Sequence, residues 1–193
     1  MKKTVGTTGN KAAGFARILA SALLASTLVG CASAPIPINY APSSVKSANG
    51  SLSVSDFRYL PSEPSTTKPI PPNLIRNTAM GEVLIDRDVK TLVRDAVFSE
   101  LRFVGIKTND PKKVLSGEIE EFLIDDLGYS VDWTLRIKYV VADASTQQVL
   151  FESVKNTQRK TAKFANAFGA LNETIKLNVE SLLDDPAFTA AID

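Results

Sequence analysis

Four closely spaced pairs of acidic residues are the main side chains in this chain that could carry out acid–base chemistry. Two carboxyl groups held about 5 Å apart in a cleft can cleave a glycosidic bond. Neighbouring residues of a strand point to opposite faces, however, and acids at turns or helix ends act as caps. We therefore expect these pairs to be structural and predict no catalytic residues. The pairs are Asp86/Asp88, Glu120/Glu121, Asp125/Asp126 and Asp184/Asp185.

The absence of histidine removes several other reaction classes. Without an imidazole the chain has no Ser–His pair, no HExxH motif and no histidine metal ligand. It also contains neither a G-x-S-x-G elbow nor a glycine-rich phosphate loop. The sequence therefore predicts a protein that is not an enzyme, with no cofactor and no bound metal.

The only cysteine, Cys31, follows a basic N-terminus and a short apolar stretch. The apolar run from Ile18 to Val29 would span about 18 Å as a helix, whereas a bilayer core needs about 30 Å. Residues 1–30 are therefore predicted to be an export signal peptide rather than a transmembrane helix.

The residues around Cys31 resemble the lipobox of bacterial lipoproteins, with Leu28 three positions before the cysteine and Gly30 directly before it. The resemblance implies cleavage before Cys31 and lipidation of its sulfur. Each buried CH₂ contributes about 0.8 kcal/mol, so two or three acyl chains would anchor the protein in a membrane almost irreversibly. The alternative is an ordinary signal peptide that happens to contain a cysteine. By resemblance to the Gram-negative sorting rule, Ala32 favours the outer membrane, with the domain facing the periplasm.

The charge balance after the signal peptide argues against a nucleic-acid partner. Residues 1–30 hold four of the 22 basic residues and none of the 21 acidic ones, so 18 basic residues remain and the net charge is near −3. Nucleic-acid binding needs an excess of positive charge on one surface. The expected partners are the membrane, through lipid on Cys31, and an envelope protein complex.

The remaining chain divides into a predicted tether and one domain. Residues 31–50 are rich in proline, serine and asparagine and predict a flexible tether behind the lipidated Cys31. Residues 51–193 are long enough for a single domain with its own core. Within it, the proline-rich stretch 60–79 predicts a loop. That loop either docks a partner as polyproline II or is simply a mobile surface loop.

Apolar periodicity predicts an α+β domain with the element order β-α-β-β-β-α. Two amphipathic helices are expected to cover one face of a mostly antiparallel sheet, which makes a two-layer sandwich. A phase shift at Glu120-Glu121 predicts a bulge, and Gly105 is expected to end the first helix. The predicted strands of this order are Ser51–Tyr59, Val114–Asp125, Tyr129–Ala142 and Gln147–Lys160, and its helices are Asp88–Val104 and Asn166–Leu183. A further short strand is predicted at Glu82–Ile85, and a last short turn at Ala187–Ile192 is expected to be packed by Phe188 and Ile192.

The strand Tyr129–Ala142 alternates strictly between apolar and polar residues, which predicts one buried and one solvated face. Tyr129 and Trp133 are on the apolar face, and core packing is the main interpretation for them, with a ligand platform as the alternative. Arg136 and Lys138 are on the polar face, which is either merely solvated or a surface for a partner. On the second helix, Phe168 is expected to point inward.

The run from Val54 to the C-terminus resembles the YajG-like outer-membrane lipoproteins in its acid–x–Arg strand Asp56–Arg58, its helix ending in glycine and its Asp-rich C-terminal end. More distantly the architecture resembles LptE and the lipoproteins that accompany lipid-transporting ABC systems. The resemblance implies a non-enzymatic accessory or adapter role in envelope assembly or transport. The alternative is a periplasmic module that binds lipid, glycan or peptidoglycan fragments. A cavity of a few hundred Å³ under Trp133 would favour that alternative.

Overall fold

A computed structural model describes residues 1–2, 34–79, 82–163 and 165–193. The predicted signal peptide, Cys31 and the start of the predicted tether lie outside the described residues. Ala34–Asp193 forms one compact unit with a continuous apolar core.

The core of the fold is an antiparallel meander of three long strands, β4, β5 and β6. The shorter strands β1 and β2 both pair in parallel with β4, β1 along its first half and β2 near its end, and β3 pairs antiparallel with β2. The strand bounds are Ser53–Tyr59 (β1), Leu74–Asn77 (β2), Val83–Leu84 (β3), Lys113–Asp125 (β4), Ser130–Asp143 (β5) and Val149–Ala162 (β6).

Helices pack on the apolar face of this sheet, so the predicted α+β class is confirmed. The α-helices in the described residues are α1 (Val89–Phe103), α2 (Ala167–Leu183) and α3 (Pro186–Ile192), and a short 3-10 helix covers Leu60–Ser62. Helix α1 packs mainly on β1, and α2 packs on β5 and β6. The predicted short turn at Ala187–Ile192 is the helix α3, and its Phe188 and Ile192 are buried as expected.

Local sequence explains where the helices begin and end. Asn166 caps α2, because its side chain accepts hydrogen bonds from the backbone N–H groups of Phe168 and Gly169. Gly105 follows α1 with a φ of +108°, a left-handed conformation that glycine adopts without strain. Asp88 occupies the N-cap position of α1 as expected, but its side chain makes no capping hydrogen bond.

The bulge in β4 falls at the predicted place, between Ile119 and Glu121. Close packing of the Phe57 ring against β4 explains why this strand contains Gly117. A Cβ atom at this position would lie 2.5 Å from the Phe57 ring, far inside van der Waals contact. Glycine therefore lets the large ring of β1 pack directly onto the β4 backbone.

A buried polar network joins α2 to the sheet. The amide of Asn178 donates to the backbone oxygens of Leu135 and Lys155 and to the hydroxyl of Thr157. Its oxygen accepts a hydrogen bond at 2.9 Å from the hydroxyl of Tyr139. Burial raises the pKa of that tyrosine, which keeps the hydroxyl protonated as a donor. The network fixes the position of the helix along the strands.

The prediction of a flexible tether over 31–50 was wrong for residues 34–50, which pack on the domain. Ile38 is buried in the core, and Ile36 forms a β-bridge with Ile85. Buried Glu100 of α1 accepts hydrogen bonds from the Tyr40 hydroxyl at 2.6 Å and from the Ser43 N–H at 3.0 Å. Prolines in this segment remove backbone donors, but its apolar side chains still stabilise a fixed path.

Replacing Glu100 with glutamine is expected to release this segment. The second carboxyl oxygen accepts from the Ser44 N–H at 3.3 Å, and an amide NH₂ there would face another donor. A buried donor without a partner costs about 1–3 kcal/mol, so we expect a loss of that size in unfolding free energy. Urea denaturation and the rate of tryptic cleavage after Lys46 measure the effect.

The matched control for this substitution is Glu82→Gln, because Glu82 is exposed. It should change the unfolding free energy by less than about 0.5 kcal/mol. Equal stability and equal cleavage after Lys46 in the two variants would show that Glu100 does not hold the segment.

The predicted loop over 60–79 was wrong in its last part, where Leu74–Asn77 is strand β2. Leu74 and Ile75 are buried, and the Tyr59 hydroxyl donates to the Leu74 carbonyl at 3.0 Å. The part of the stretch before β2 is also held against the domain. The Ile70 N–H donates a hydrogen bond to the Pro61 carbonyl, and the Ile70 side chain packs against the core. Such a stretch is not the freely extended polyproline segment that partner docking would need.

Candidate functional site

The polar face of the sheet is covered by ion pairs between neighbouring strands. Arg136 pairs with Glu120, and Lys138 pairs with Glu152 at 3.1 Å. The bulge at Glu120 places Glu121 on the same face, where Glu121 pairs with Arg76 at 2.9 Å. Exposed pairs of this kind contribute about 0–1 kcal/mol each. Both glutamates of the predicted 120/121 pair are therefore engaged by arginines.

Members of the other acidic pairs are engaged as well. Asp86 forms an ion pair with the adjacent Arg87, which holds its pKa below the usual range. Asp184 pairs with Lys46 at 2.5 Å. Asp185 lies 2.6 Å from the Lys155 amine, which lowers the pKa of Asp185, and it caps α3 through the Ala187 N–H.

The last acidic pair lies in the turn between β4 and β5. Asp125 accepts hydrogen bonds from the Thr78 hydroxyl and from the backbone of Leu127. Asp126 is nearly buried, and its Oδ1 lies 3.2 Å from the Lys163 amine as an ion pair without hydrogen-bond alignment. The amine donates instead to the backbone oxygens of Asp126 and Gly128. Lys163 thereby holds this turn against the end of β6.

This turn borders an apolar cavity of about 270 Å³. The cavity lies at one end of the sheet, between the β4–β5 turn, the end of β6 and the first turns of α2. The N-terminal segment closes another side. Apolar side chains that form its wall include Ile36, Ile38, Val131, Trp133, Phe168 and Leu171.

Trp133 forms part of the cavity wall while remaining in the core. Only 4% of its surface is exposed, which confirms the core prediction. Its indole N–H donates to the Thr161 hydroxyl at 3.0 Å, so the only polar atom of the ring is satisfied. The ring therefore presents an apolar surface to the cavity and gives it a fixed wall.

Two predictions for aromatic residues near this cavity were wrong. Tyr129 is fully exposed rather than buried, because it lies in the turn before β5 begins at Ser130. Phe168 is 50% exposed, because it lies in the first turn of α2 and borders the cavity instead of the core. Tyr129, Phe168 and Leu127, which is 72% exposed, place apolar side chains on the surface at this end of the domain.

Across residues 34–79, 82–163 and 165–193, no group of three metal-ligating side chains comes together. Among the residues described by the structure, no helix is long and apolar enough to cross a membrane. The Trp133 cavity combines a mostly apolar wall with a partly enclosed shape, which suits an apolar ligand.

Comparison of the sequence with protein-family models finds no match, and comparison with curated proteins finds none either. Comparison with solved structures finds the same fold. Protein XCC0632 from Xanthomonas campestris, of the family model DUF330, is similar with a TM-score of 0.59 and 12% identity, over 81% of this chain and 96% of that one. Protein CT253 from Chlamydia trachomatis has a TM-score of 0.51 and 8% identity, over 75% and 99% of the two chains.

Bacterial lipoproteins are also among the solved structures that this chain matches. Lipoprotein GNA1162 from Neisseria meningitidis has a TM-score of 0.39 and 10% identity, over 70% of this chain and 99% of that one. At such identities the likeness to XCC0632 and CT253 concerns the fold alone. The more specific resemblance to YajG-like lipoproteins remains a prediction.

Proposed function

We propose that this chain is an outer-membrane lipoprotein, anchored through lipid on Cys31 and facing the periplasm. We further propose that it acts without catalysis, as an accessory protein in envelope assembly or transport. Its working site is the Trp133 cavity, which receives an apolar group such as one acyl chain of a lipid. The single observation that carries this function is the apolar cavity of about 270 Å³ beside Trp133.

The size and lining of the cavity support an acyl chain as its ligand. Pockets that hold a whole drug-sized ligand measure about 300–1,000 Å³, so this cavity suits a narrower group. Its wall is mostly apolar, and the charged atoms near it, on Asp126 and Lys163, compensate each other. An apolar group entering the cavity would bury its surface without leaving a charge unpaired.

The engaged acidic residues support the non-enzymatic part of the proposal. Glu120 and Glu121 each hold an arginine, and Asp185 holds Lys155 and caps a helix. A general acid or nucleophile needs a carboxyl group that is accessible to substrate, and these contacts use one oxygen of each glutamate and both oxygens of Asp185. Residues of this kind are better explained as contributors to the fold.

Filling the cavity is expected to abolish ligand binding. Ala167 lies at the cavity wall in the first turn of α2, and Ala167→Phe would place a ring in the space. Residues 34–193 hold the whole described core and include the only tryptophan, Trp133, which reports on binding. Dibromostearic acid should quench Trp133 saturably, and Ala167→Phe should weaken its binding at least tenfold, about 1.4 kcal/mol.

The control is Ala190→Phe, which adds the same ring at an exposed position of α3. It should bind dibromostearic acid as the unsubstituted domain does. Quenching that does not saturate, or that is equal in the two variants, would contradict the cavity as the ligand site.

The accessory role is tested separately, in cells. Crosslinking followed by purification of the lipidated protein and mass spectrometry should recover a membrane protein complex. An adapter that works through its polar sheet face would lose that complex on charge reversal of Arg136 and Lys138. A ligand module would lose it on Ala167→Phe, and we expect this second result because the sheet-face charges are already paired.

A further inference from the structure

We propose that the end of the domain that carries Leu127, Tyr129 and Phe168 docks on the bilayer surface, so that the Trp133 cavity opens toward lipid. The occupant of this surface is the phospholipid interface itself. The inference rests on the proposed function, because it uses Cys31 as the anchor. It adds an orientation for the domain and a route by which an acyl chain reaches the cavity.

Three exposed apolar side chains lie on or next to elements that border the cavity. Tyr129 is fully exposed, and Leu127 and Phe168 are at least half exposed. Leu127 and Tyr129 follow Asp126, which itself borders the cavity, and Phe168 belongs to the cavity wall. Aromatic rings with one polar end, such as tyrosine, are favoured at the boundary between water and hydrocarbon.

The length of chain before the described domain places its anchor near the same end. Ile36 borders the cavity and lies five positions after Cys31 in the chain. Five successive Cα–Cα steps span at most about 18 Å. Because residues 34–50 pack on the domain, they do not lengthen this connection. A lipid on Cys31 therefore keeps the cavity end close to the membrane.

The charges at this end determine what kind of bilayer it would contact. Lys163 is paired with Asp126 and with the carbonyl oxygens of the turn, while Asp125 adds a negative charge. An anionic surface would attract an excess of basic residues, and the turn offers none. The contact is therefore apolar, and we expect it to form on zwitterionic phosphatidylcholine as well as on anionic lipid.

The test places a tryptophan reporter at the docking surface and anchors the mature chain by chemistry. Residues 31–193 contain one thiol, Cys31, which couples to a maleimide phospholipid in phosphatidylcholine vesicles. In a Trp133→Phe background, Tyr129→Trp provides the only indole. Bromines near the lipid headgroups should quench it about twofold and its emission should shift to the blue, because interfacial groups sit only about 5–10 Å deep.

The control reporter is Val45→Trp in the same background, because Val45 is as exposed as Tyr129. It lies near the far end of α2, where the Ser44 hydroxyl donates to Glu180. Glu180 is twelve residues from Phe168, about 18 Å along the helix axis. Brominated lipid should leave this reporter unquenched.

The outcomes separate docking from anchoring. Equal quenching of the two reporters, or none, would overturn the docking surface. A blue shift of Tyr129→Trp that grows with protein concentration in the absence of vesicles would assign the patch to a second copy of this chain and also overturn it. Chemical coupling does not depend on cellular lipidation, so a failure of Cys31 to be acylated in cells would contradict the proposed anchor alone.

Discussion

Cys31→Ser is expected to abolish lipidation completely and to leave the unprocessed precursor in cells. The sulfur of Cys31 is the atom that the lipobox resemblance assigns to the diacylglycerol, and serine offers no thiol. Labelling with radioactive palmitate should mark the unsubstituted protein and not the variant. Membrane fractions should then lose the mature form, because without acyl chains the domain has no strong hydrophobic attachment.

A companion substitution separates lipidation from sorting. Ala32→Asp keeps Cys31 and should still be labelled by palmitate, but it should move the protein toward the inner membrane if the Gram-negative sorting rule applies. Mature, membrane-bound protein in the Cys31→Ser variant would contradict the lipoprotein assignment. An unchanged outer-membrane fraction for Ala32→Asp would contradict only the sorting rule.

The elements that the sequence predicted well are those whose periodicity is strong and whose ends carry specific residues. Strand β5 alternates over its whole length, and α1 combines an apolar stripe with Gly105 at its end. The β4 bulge was visible because two glutamates interrupt the alternation. In each case the local pattern and the tertiary structure favour the same conformation.

The elements that the sequence analysis missed are short, and prolines lie next to them in the sequence. Strand β2 has only four residues, and it is stabilised by pairing with β4 rather than by its own propensity. Ile36, Ile38 and Tyr40 alternate within the predicted tether, and this period of two was a signal for an extended, packed segment. Composition alone gave the wrong answer there, because these apolar side chains together with the hydrogen bonds to Glu100 hold the segment on the domain.

The sequence identified Trp133 as the residue beside which a cavity would favour ligand binding, but it did not predict that a cavity exists there. Its walls come from strands, a helix and an N-terminal segment that are far apart along the chain. Only tertiary structure shows that the first turn of α2 leaves a gap beside Val131 and Trp133. Tyr129 was misplaced for a related reason, since the strand begins one residue later than the alternating pattern suggests.

Trp133→Ala is expected to destabilise the domain by about 3–5 kcal/mol, the usual cost of removing a buried tryptophan. The ring is buried and lies beside a cavity of about 270 Å³, so truncation enlarges an existing void instead of being filled by neighbours. Small domains have a total stability of about 5–15 kcal/mol, so the loss threatens folding itself. Urea denaturation of residues 34–193, followed by circular dichroism, measures it.

Two further substitutions distinguish packing from the hydrogen bond and from surface effects. Trp133→Phe keeps most of the ring but removes the donor to Thr161, and it should cost about 1 kcal/mol. Tyr129→Ala removes an exposed ring and should change stability by less than about 0.5 kcal/mol. If Trp133→Ala also costs less than about 1 kcal/mol, the indole would contribute to ligand binding and little to folding. The rigid wall that the cavity needs would then have to come from Leu171 and Val131.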